Sequence, residues 1–181
     1  MQISVIEEYL PTQYLEHYLD YCKETDDWSK VKTNNRWSER VVYLGYKGLF
    51  STTNQYFLEK TDKQIKQSFE LVSEIYPDYL GLVRWNVGDS QAPHADGENP
   101  NGDAHPFNWR NFGCVYYMND DYEGGEIYFP NQDITLKPKP NTLVFFPGTL
   151  EYLHGVNPVT SGVRYTLTSF WTFNERYKLK L

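Results

Sequence analysis

The stretch FGCVYYMNDDYEGGEIYFPNQDITL, residues 112–136, decides the architecture. Three short runs, 112–118, 126–129 and 133–136, are rich in β-branched and aromatic residues and are parted by Gly124-Gly125 and Asn131. Runs this brief, bounded by turn residues, have the composition and length of strands rather than helices. The same texture extends outward from residue 80 to residue 173. Further strands are expected over 80–86, 92–96, 142–146, 151–156 and 163–173, with turns at Gly88-Asp89, Pro147-Gly148 and Ser161-Gly162. Many short strands at close spacing predict a double-sheet jelly roll.

Upstream of residue 80 the pattern is different. Tyr14, Leu15, Tyr18, Leu19 and Cys22 recur at helical spacing over 12–23, and Ile65, Phe69, Val72, Ile75 and Tyr76 do so over 62–76. Thr61 and Asp62 are placed to cap the second helix, and Pro77 follows its end. Arg40 to Tyr46 is expected as a strand between them. No repeat or Pro/Gly-rich linker divides the chain, so residues 1–181 are expected to form one mostly β domain with flanking helices. Residues 1–79 form its N-terminal strand and helical support, packed on one sheet, and 80–173 its catalytic core.

Composition narrows the function. Lys and Arg number 17 against 24 Asp and Glu, a formal charge of −7. Nucleic acid and anionic membranes require a basic footprint, so neither is expected as the main partner. No stretch approaches a membrane span, and the N-terminal segment lacks the basic and apolar regions of a signal peptide. The expected compartment is the cytoplasm. The two cysteines, Cys22 and Cys114, do not form a disulfide framework.

The chemistry begins at Pro93-His94-Ala95-Asp96-Gly97. On an extended segment, residues two apart project from one face, so His94 and Asp96 can meet one metal. His154, in a second extended run, supplies a third ligand. Two imidazoles and one carboxylate leave open positions, which is the facial triad of non-haem Fe(II) oxygenases. A closed structural zinc site wants four ligands, commonly including Cys. Arg164 lies ten residues past His154. An antiparallel hairpin across 157–162 would bring it beside the His154 strand, where its planar fork can bind a carboxylate in two hydrogen bonds. A dicarboxylate could then chelate iron at one end and reach Arg164 at the other. With a period of two, Thr166 shares the inward face of that strand.

Taken together, Pro-His-X-Asp, Tyr116-Tyr117-Met118-Asn119, Gly124-Gly125-Glu126, Phe145-Phe146-Pro147-Gly148, His154 and Arg164 resemble the prolyl 4-hydroxylase-like branch of the Fe(II)/2-oxoglutarate-dependent oxygenases. The resemblance covers about residues 80–173, and Val5 to Leu10 with the helix after it resembles that family's N-terminal strand and helix. It implies a double-stranded β-helix, with His94, Asp96 and His154 as iron ligands and Arg164 and Tyr117 on the far carboxylate of 2-oxoglutarate. It also implies Fe(II), 2-oxoglutarate and O2 as reaction partners, with ascorbate as an accessory reductant. The expected reaction is hydroxylation of a C–H bond, preferably of a prolyl residue in a peptide or protein, releasing succinate and CO2. Trp85 and Gln91 stand where many relatives carry Tyr, which bears on prolyl specificity.

Two rival functions stay open at this point. One is hydroxylation of a small molecule such as a free amino acid. The other is a catalytically silent jelly-roll module that binds a peptide or sugar. His105, in the polar loop 97–111, is read as a solvated loop residue, Glu126 as a strand-start residue, and the segment Trp28 to Trp37 as a candidate rim. Substrate identity and oligomeric state are not written in these motifs.

Overall fold

In the computed structural model, which describes residues 3–30, 32, 35, 37–45 and 50–180, the chain forms twelve strands and two α-helices. In chain order these are β1 (Ser4–Ile6), α1 (Thr12–Glu24), β2 (Val41–Tyr43), α2 (Ser51–Ser68), β3 (Tyr76–Trp85), β4 (Gln91–His94), β5 (Phe112–Tyr117), β6 (Tyr122–Gly124), β7 (Ile127–Phe129), β8 (Ile134–Leu136), β9 (Thr142–Pro147), β10 (His154–Val156), β11 (Val159–Gly162) and β12 (Arg164–Thr172). A six-stranded sheet runs β1-β9-β5-β12-β3-β2, a four-stranded sheet runs β4-β10-β7-β8, and β11 pairs with β6 in a separate ribbon. All pairings are antiparallel. This is the jelly roll expected from the strand pattern.

The large sheet is buried on both faces, which explains its continuous apolar runs. Tyr116, Leu143, Phe145 and Leu167 pack toward the helices with Tyr18, Cys22, Phe57 and Ile65. The alternate residues Tyr117, Val144 and Phe146 pack the other way, against Ile127 and Phe129 of the small sheet. Period-two alternation thus separates a helix-side core from an inter-sheet core. β1 and β2 extend the large sheet at its two edges.

The second helix departs from expectation. It starts at Ser51 and ends at Ser68, and Val72 is fully exposed. Thr61 does not cap it but sits mid-helix, buried, donating to the Phe57 carbonyl at 2.8 Å. Its buried face also carries Asn54, which accepts from the Tyr18 hydroxyl at 2.7 Å. Thr61 and the Tyr9 hydroxyl are 2.9 Å apart. Polar residues satisfied by tyrosine hydroxyls occupy positions where hydrophobic periodicity expects apolar ones, so the period is visible only downstream. Pro77 lies inside β3, opposite Trp171, at a register irregularity after Phe170. A proline, with no N–H to give the ladder, is tolerated at such a point. Of the strand expected over Arg40 to Tyr46, residues 41–43 are in β2, and Tyr46 lies outside the described residues.

The run 151–156 divides into a 3-10 turn, Leu150–Tyr152, and β10. The hairpin between the His154 and Arg164 strands does not form. β10 pairs with β4 and β7, β12 pairs with β3 and β5, and residues 159–162 pair with β6 instead. His154 and Arg164 therefore belong to different sheets and meet across the space between them. Among the described residues, no helix is long and apolar enough to cross a membrane.

Candidate metal centre and dicarboxylate pocket

His94 closes β4 and His154 opens β10, and the two are register partners. Their rings stand 4.3 Å apart. Asp96 lies two residues beyond β4, yet its Oδ1 is 3.7 Å from Nε2 of both histidines. One ligand atom from each of the three lies within 4.8 Å of the others. Nδ1 of His94 is 3.1 Å from the Ala92 carbonyl, and Nδ1 of His154 is 3.2 Å from the Tyr152 carbonyl. A carbonyl can only accept, so each Nδ1 carries the proton and each Nε2 presents its lone pair to the cluster.

Glycines make room for the carboxylate. Asp96 is 5% exposed, and its Oδ2 has no hydrogen-bond partner. Gly148, from the Phe-Phe-Pro-Gly run, accepts from the Gly97 amide at 2.9 Å and fixes the segment after Asp96. Phe146 lies 4.4 Å from the His154 ring and walls the cluster from below.

Deeper in the same inter-sheet space, Arg164 is 1% exposed. Its Nη2 donates to the Tyr117 hydroxyl at 3.0 Å, and its guanidinium lies 5.0 Å from the Trp85 ring and 4.8 Å from the Tyr117 ring. Nε and Nη1 of Arg164 and the Trp85 indole nitrogen are buried without a well-formed hydrogen bond, and the buried Tyr122 hydroxyl stands beside Arg164, whose charge opposes the rise that burial imposes on it. Burial pushes the Tyr117 hydroxyl up from its ordinary range, although the Arg164 charge opposes the shift. Tyr117 therefore stays protonated, and with its oxygen accepting from Arg164 its hydrogen remains to be donated. Thr166 lies opposite Tyr117 and is fully buried. The Gly124-Gly125 turn closes against this pocket with positive φ at both residues, and a Cβ on Gly125 would stand 3.1 Å from Arg164 Cδ.

His94, Asp96 and His154 line one cavity of about 410 Å³ together with Trp85, Arg164 and Thr166, whereas Tyr117 and Tyr122 touch Arg164 without lining it. Arg164, Thr166, Thr168 and Phe170, alternate residues of β12, all face it. Tyr43 and Phe107, both substantially exposed, mark its mouth. His105 also lines it, half-buried, rather than standing free in solvent; its Nδ1 accepts from the Phe107 amide at 3.1 Å. Of the expected Trp28 to Trp37 rim, Asn35 and Trp37 reach the cavity, whereas residues 31, 33, 34 and 36 lie outside the described residues.

One lining residue was not anticipated from sequence. Arg110 sits between the rings of Phe107 and Phe170, at 4.0 and 3.8 Å. Its Nε donates to Asp78 Oδ2 at 3.0 Å, and the Trp109 indole donates to the same oxygen at 2.7 Å. Asp78 and Arg110 are 32 residues apart and neither lies in a recognisable motif, so the sequence carries no local signal for the pair.

Residues 80–172, just over half of the chain, match the family model of the 2OG-Fe(II) oxygenase superfamily. The chain belongs to that superfamily. Among curated relatives, prolyl 3-hydroxylase 2 of Rattus norvegicus is 28% identical over 141 residues, which covers 66% of this chain and 20% of that protein. Prolyl 3-hydroxylase 1 of the same species is 26% identical over 163 residues, covering 76% of this chain and 22% of that protein. The chain thus spans about a fifth of the length of these relatives. Among solved structures, its fold matches a viral collagen prolyl hydroxylase from Paramecium bursaria Chlorella virus-1, a 2OG complex, with a TM-score of 0.73, 17% identity, and 95% and 96% of the two chains covered. A Pseudomonas putida prolyl-4-hydroxylase matches with a TM-score of 0.69 at 17% identity, covering 94% and 92%. These neighbours establish the double-stranded β-helix fold for this chain.

The superfamily implies Fe(II) and 2-oxoglutarate, and the chemistry of the two clusters fits them. Imidazole nitrogen with a single carboxylate suits Fe(II) and leaves positions open. The unmet groups around Arg164 can all donate, and a pocket of buried donors calls for a ligand with several lone pairs, such as a carboxylate.

Proposed function

We propose that this chain hydroxylates a prolyl residue in a peptide or protein, using Fe(II) held by His94, Asp96 and His154 and 2-oxoglutarate held by Arg164, Tyr117 and Thr166. The observation that carries this reading is the presence, in one cavity, of a three-ligand cluster and a deeper set of unpartnered donors. When bound, iron, 2-oxoglutarate and O2 together supply the oxidising power that converts a substrate C–H to C–OH, with succinate and CO2 as co-products.

The chain's own residues bind, orient and exclude. The buried Asp96 carboxylate offsets cationic charge beside a half-buried His94, and the Nδ1 tethers aim both imidazoles at one point. Arg164 and Tyr117 pair with the far carboxylate of the co-substrate, where a planar fork and a protonated hydroxyl are matched to it. Thr166 lies beside them on the cavity face. Phe146 and the rings of Trp85 and Phe170 keep water from the reacting centre.

Support for a prolyl substrate comes from the relatives, which are prolyl 3-hydroxylases by sequence and prolyl hydroxylases by fold, one of them in complex with a hypoxia inducible factor peptide fragment. The aromatic mouth formed by Tyr43, Tyr79, Phe107 and Phe170 suits an extended proline-containing strand, whose preformed shape loses little entropy on docking. Arg110, held between two of those rings, offers N–H donors to a peptide backbone. The deciding experiment compares proline-rich peptides, free proline and single-stranded oligonucleotides, with and without ascorbate. It scores substrate-dependent succinate and a +16 Da product, and amino-acid analysis separates 3- from 4-hydroxyproline. Turnover of peptide is expected; turnover of free proline alone or of oligonucleotide alone would overturn the peptidyl reading.

A further inference from the structure

We propose that Gln91 competes with the metal for Nε2 of His94, so that its carboxamide sets how tightly the site holds a divalent cation. This rests on His94 being a metal ligand, as argued above.

The contact is built by the backbone. On a regular strand, residues three apart point to opposite faces. β4 is not regular: His154 pairs with His94, but Val156 pairs with Gln91, so three steps of β4 oppose two of β10. One extra residue on β4 makes a bulge, and a bulge re-aims the side chains beyond it. Pro93, which has no N–H for the ladder, lies inside that bulge. Gln91 is thereby turned to the His94 side, and its Nε2 lies 3.0 Å from His94 Nε2.

Donor and acceptor follow from the other ring nitrogen. Nδ1 of His94 is 3.1 Å from the Ala92 carbonyl and carries the proton. Nε2 is then the acceptor, and the Gln91 amide donates to it. That is the same lone pair a metal would take, at about 2.0–2.1 Å for a metal–imidazole bond. One lone pair cannot serve both, so the amide must leave when a cation arrives. Gln91 lines the cavity, which gives the displaced carboxamide somewhere to go. The cation has to outcompete a hydrogen bond of ordinary net strength, which lowers its affinity about three- to tenfold.

The test is Mn(II) binding to the metal-free chain of residues 1–181, without 2-oxoglutarate, by calorimetry. Gln91→Ala and the bulkier Gln91→Leu are compared with the unmodified chain, and folding of each is checked by circular dichroism. Both variants should bind Mn(II) about three- to tenfold more tightly. In parallel, ¹⁵N NMR of the metal-free protein should show the His94 Nε2 resonance moving in both variants as its donor is lost. Equal or weaker Mn(II) binding by both variants would overturn the competition while leaving the metal site intact. Failure of the unmodified chain to bind Mn(II) would instead overturn the site itself, and the inference with it.

Discussion

A methyl group placed on the Gly113 α-carbon would run into Oδ2 of Asp96 and stand 2.9 Å from the Phe146 ring. Gly113 belongs to β5 and Asp96 to the turn after β4, so the two sheets touch here with no space for a side chain. Gly113→Ala should push the carboxylate aside. Overpacking of this kind typically costs about 1–3 kcal/mol, and here part of that strain falls on a metal-ligand candidate. Calorimetric Mn(II) titration should show weakened binding in a variant that still unfolds cooperatively. Undiminished Mn(II) affinity would mean that Asp96 does not hold the metal in the position described.

His94→Ala, Asp96→Ala and His154→Ala should each abolish stoichiometric Fe(II) binding and turnover while leaving the fold intact. Groups that merely support a ligand cost about 10- to 100-fold in affinity when removed, and removing a ligand should cost more. Metal analysis under anaerobic conditions, with circular dichroism of the same samples, decides the matter. Full activity in any one variant would remove that residue from the site.

Arg164→Ala should weaken 2-oxoglutarate binding by about 2–5 kcal/mol, the usual cost of deleting one partner of a buried, hydrogen-bonded charge pair. Tyr117→Phe removes one neutral donor and should cost about 0.5–1.5 kcal/mol. The Fe(II)–2-oxoglutarate absorbance band, titrated in each variant, reads both. Metal affinity should be nearly unchanged, and a 2-oxoglutarate affinity equal to that of the unmodified chain would assign the carboxylate to another cation.

The same arginine should be a burden on the ligand-free protein. Two of its nitrogens are buried without partners, and a buried charge left partly unmatched destabilises the fold. Arg164→Met, of similar length and apolar, should therefore raise the melting temperature of the free chain while eliminating stabilisation by added 2-oxoglutarate. A thermal scan with and without the co-substrate shows both effects. A lower melting temperature in the free variant would mean that packing on Trp85 and Tyr117 outweighs the unmatched charge.

The buried tyrosines set an alkaline limit. Desolvation raises the hydroxyls of Tyr9, Tyr18, Tyr79, Tyr116 and Tyr117 above their ordinary value. Above pH ~10 the unfolded chain releases protons that the folded chain retains. Their contribution is thus complete below that pH and is lost as pH rises further. The urea midpoint should begin to decline at pH ~9, because burial raises the Cys22 and Cys114 thiols as well, and should fall more steeply from pH ~10 upward, with a shallower decline in Tyr18→Phe. A midpoint unchanged to pH 11 would contradict the burial of these hydroxyls.

The β-rich half of the chain was legible because its signals are local. Strand-length apolar runs between glycine turns, and the His and Asp of the candidate cluster in short extended segments, announce themselves within a few residues. What the sequence concealed depends on distant partners. Asn54 and Thr61 look like surface residues until Tyr18 and Tyr9 are placed against them, so the first half of α2 passed unread. Thr160, Ser161 and Gly162 have no hydrophobic period and looked like a turn, although they pair with β6 in a ribbon that sends the chain from one sheet to the other. The Asp78–Arg110 pair joins the start of β3 to the residue before Asn111, a meeting only the folded sheet creates.

Each histidine of the candidate metal centre is tethered through Nδ1 to the backbone carbonyl two residues before it, Ala92 for His94 and Tyr152 for His154. Apart from the Gln91 amide at His94 Nε2, it is the neighbouring backbone that aims each ring. The orientation of the reactive centre is therefore inherited from strand geometry and is independent of the identity of the residues at the cavity mouth. An enzyme built this way can have its rim rewritten, at Tyr43, Phe107 or Phe170, without disturbing how its imidazoles point. New substrates become accessible by changing side chains alone, and the chemistry travels unchanged with the backbone.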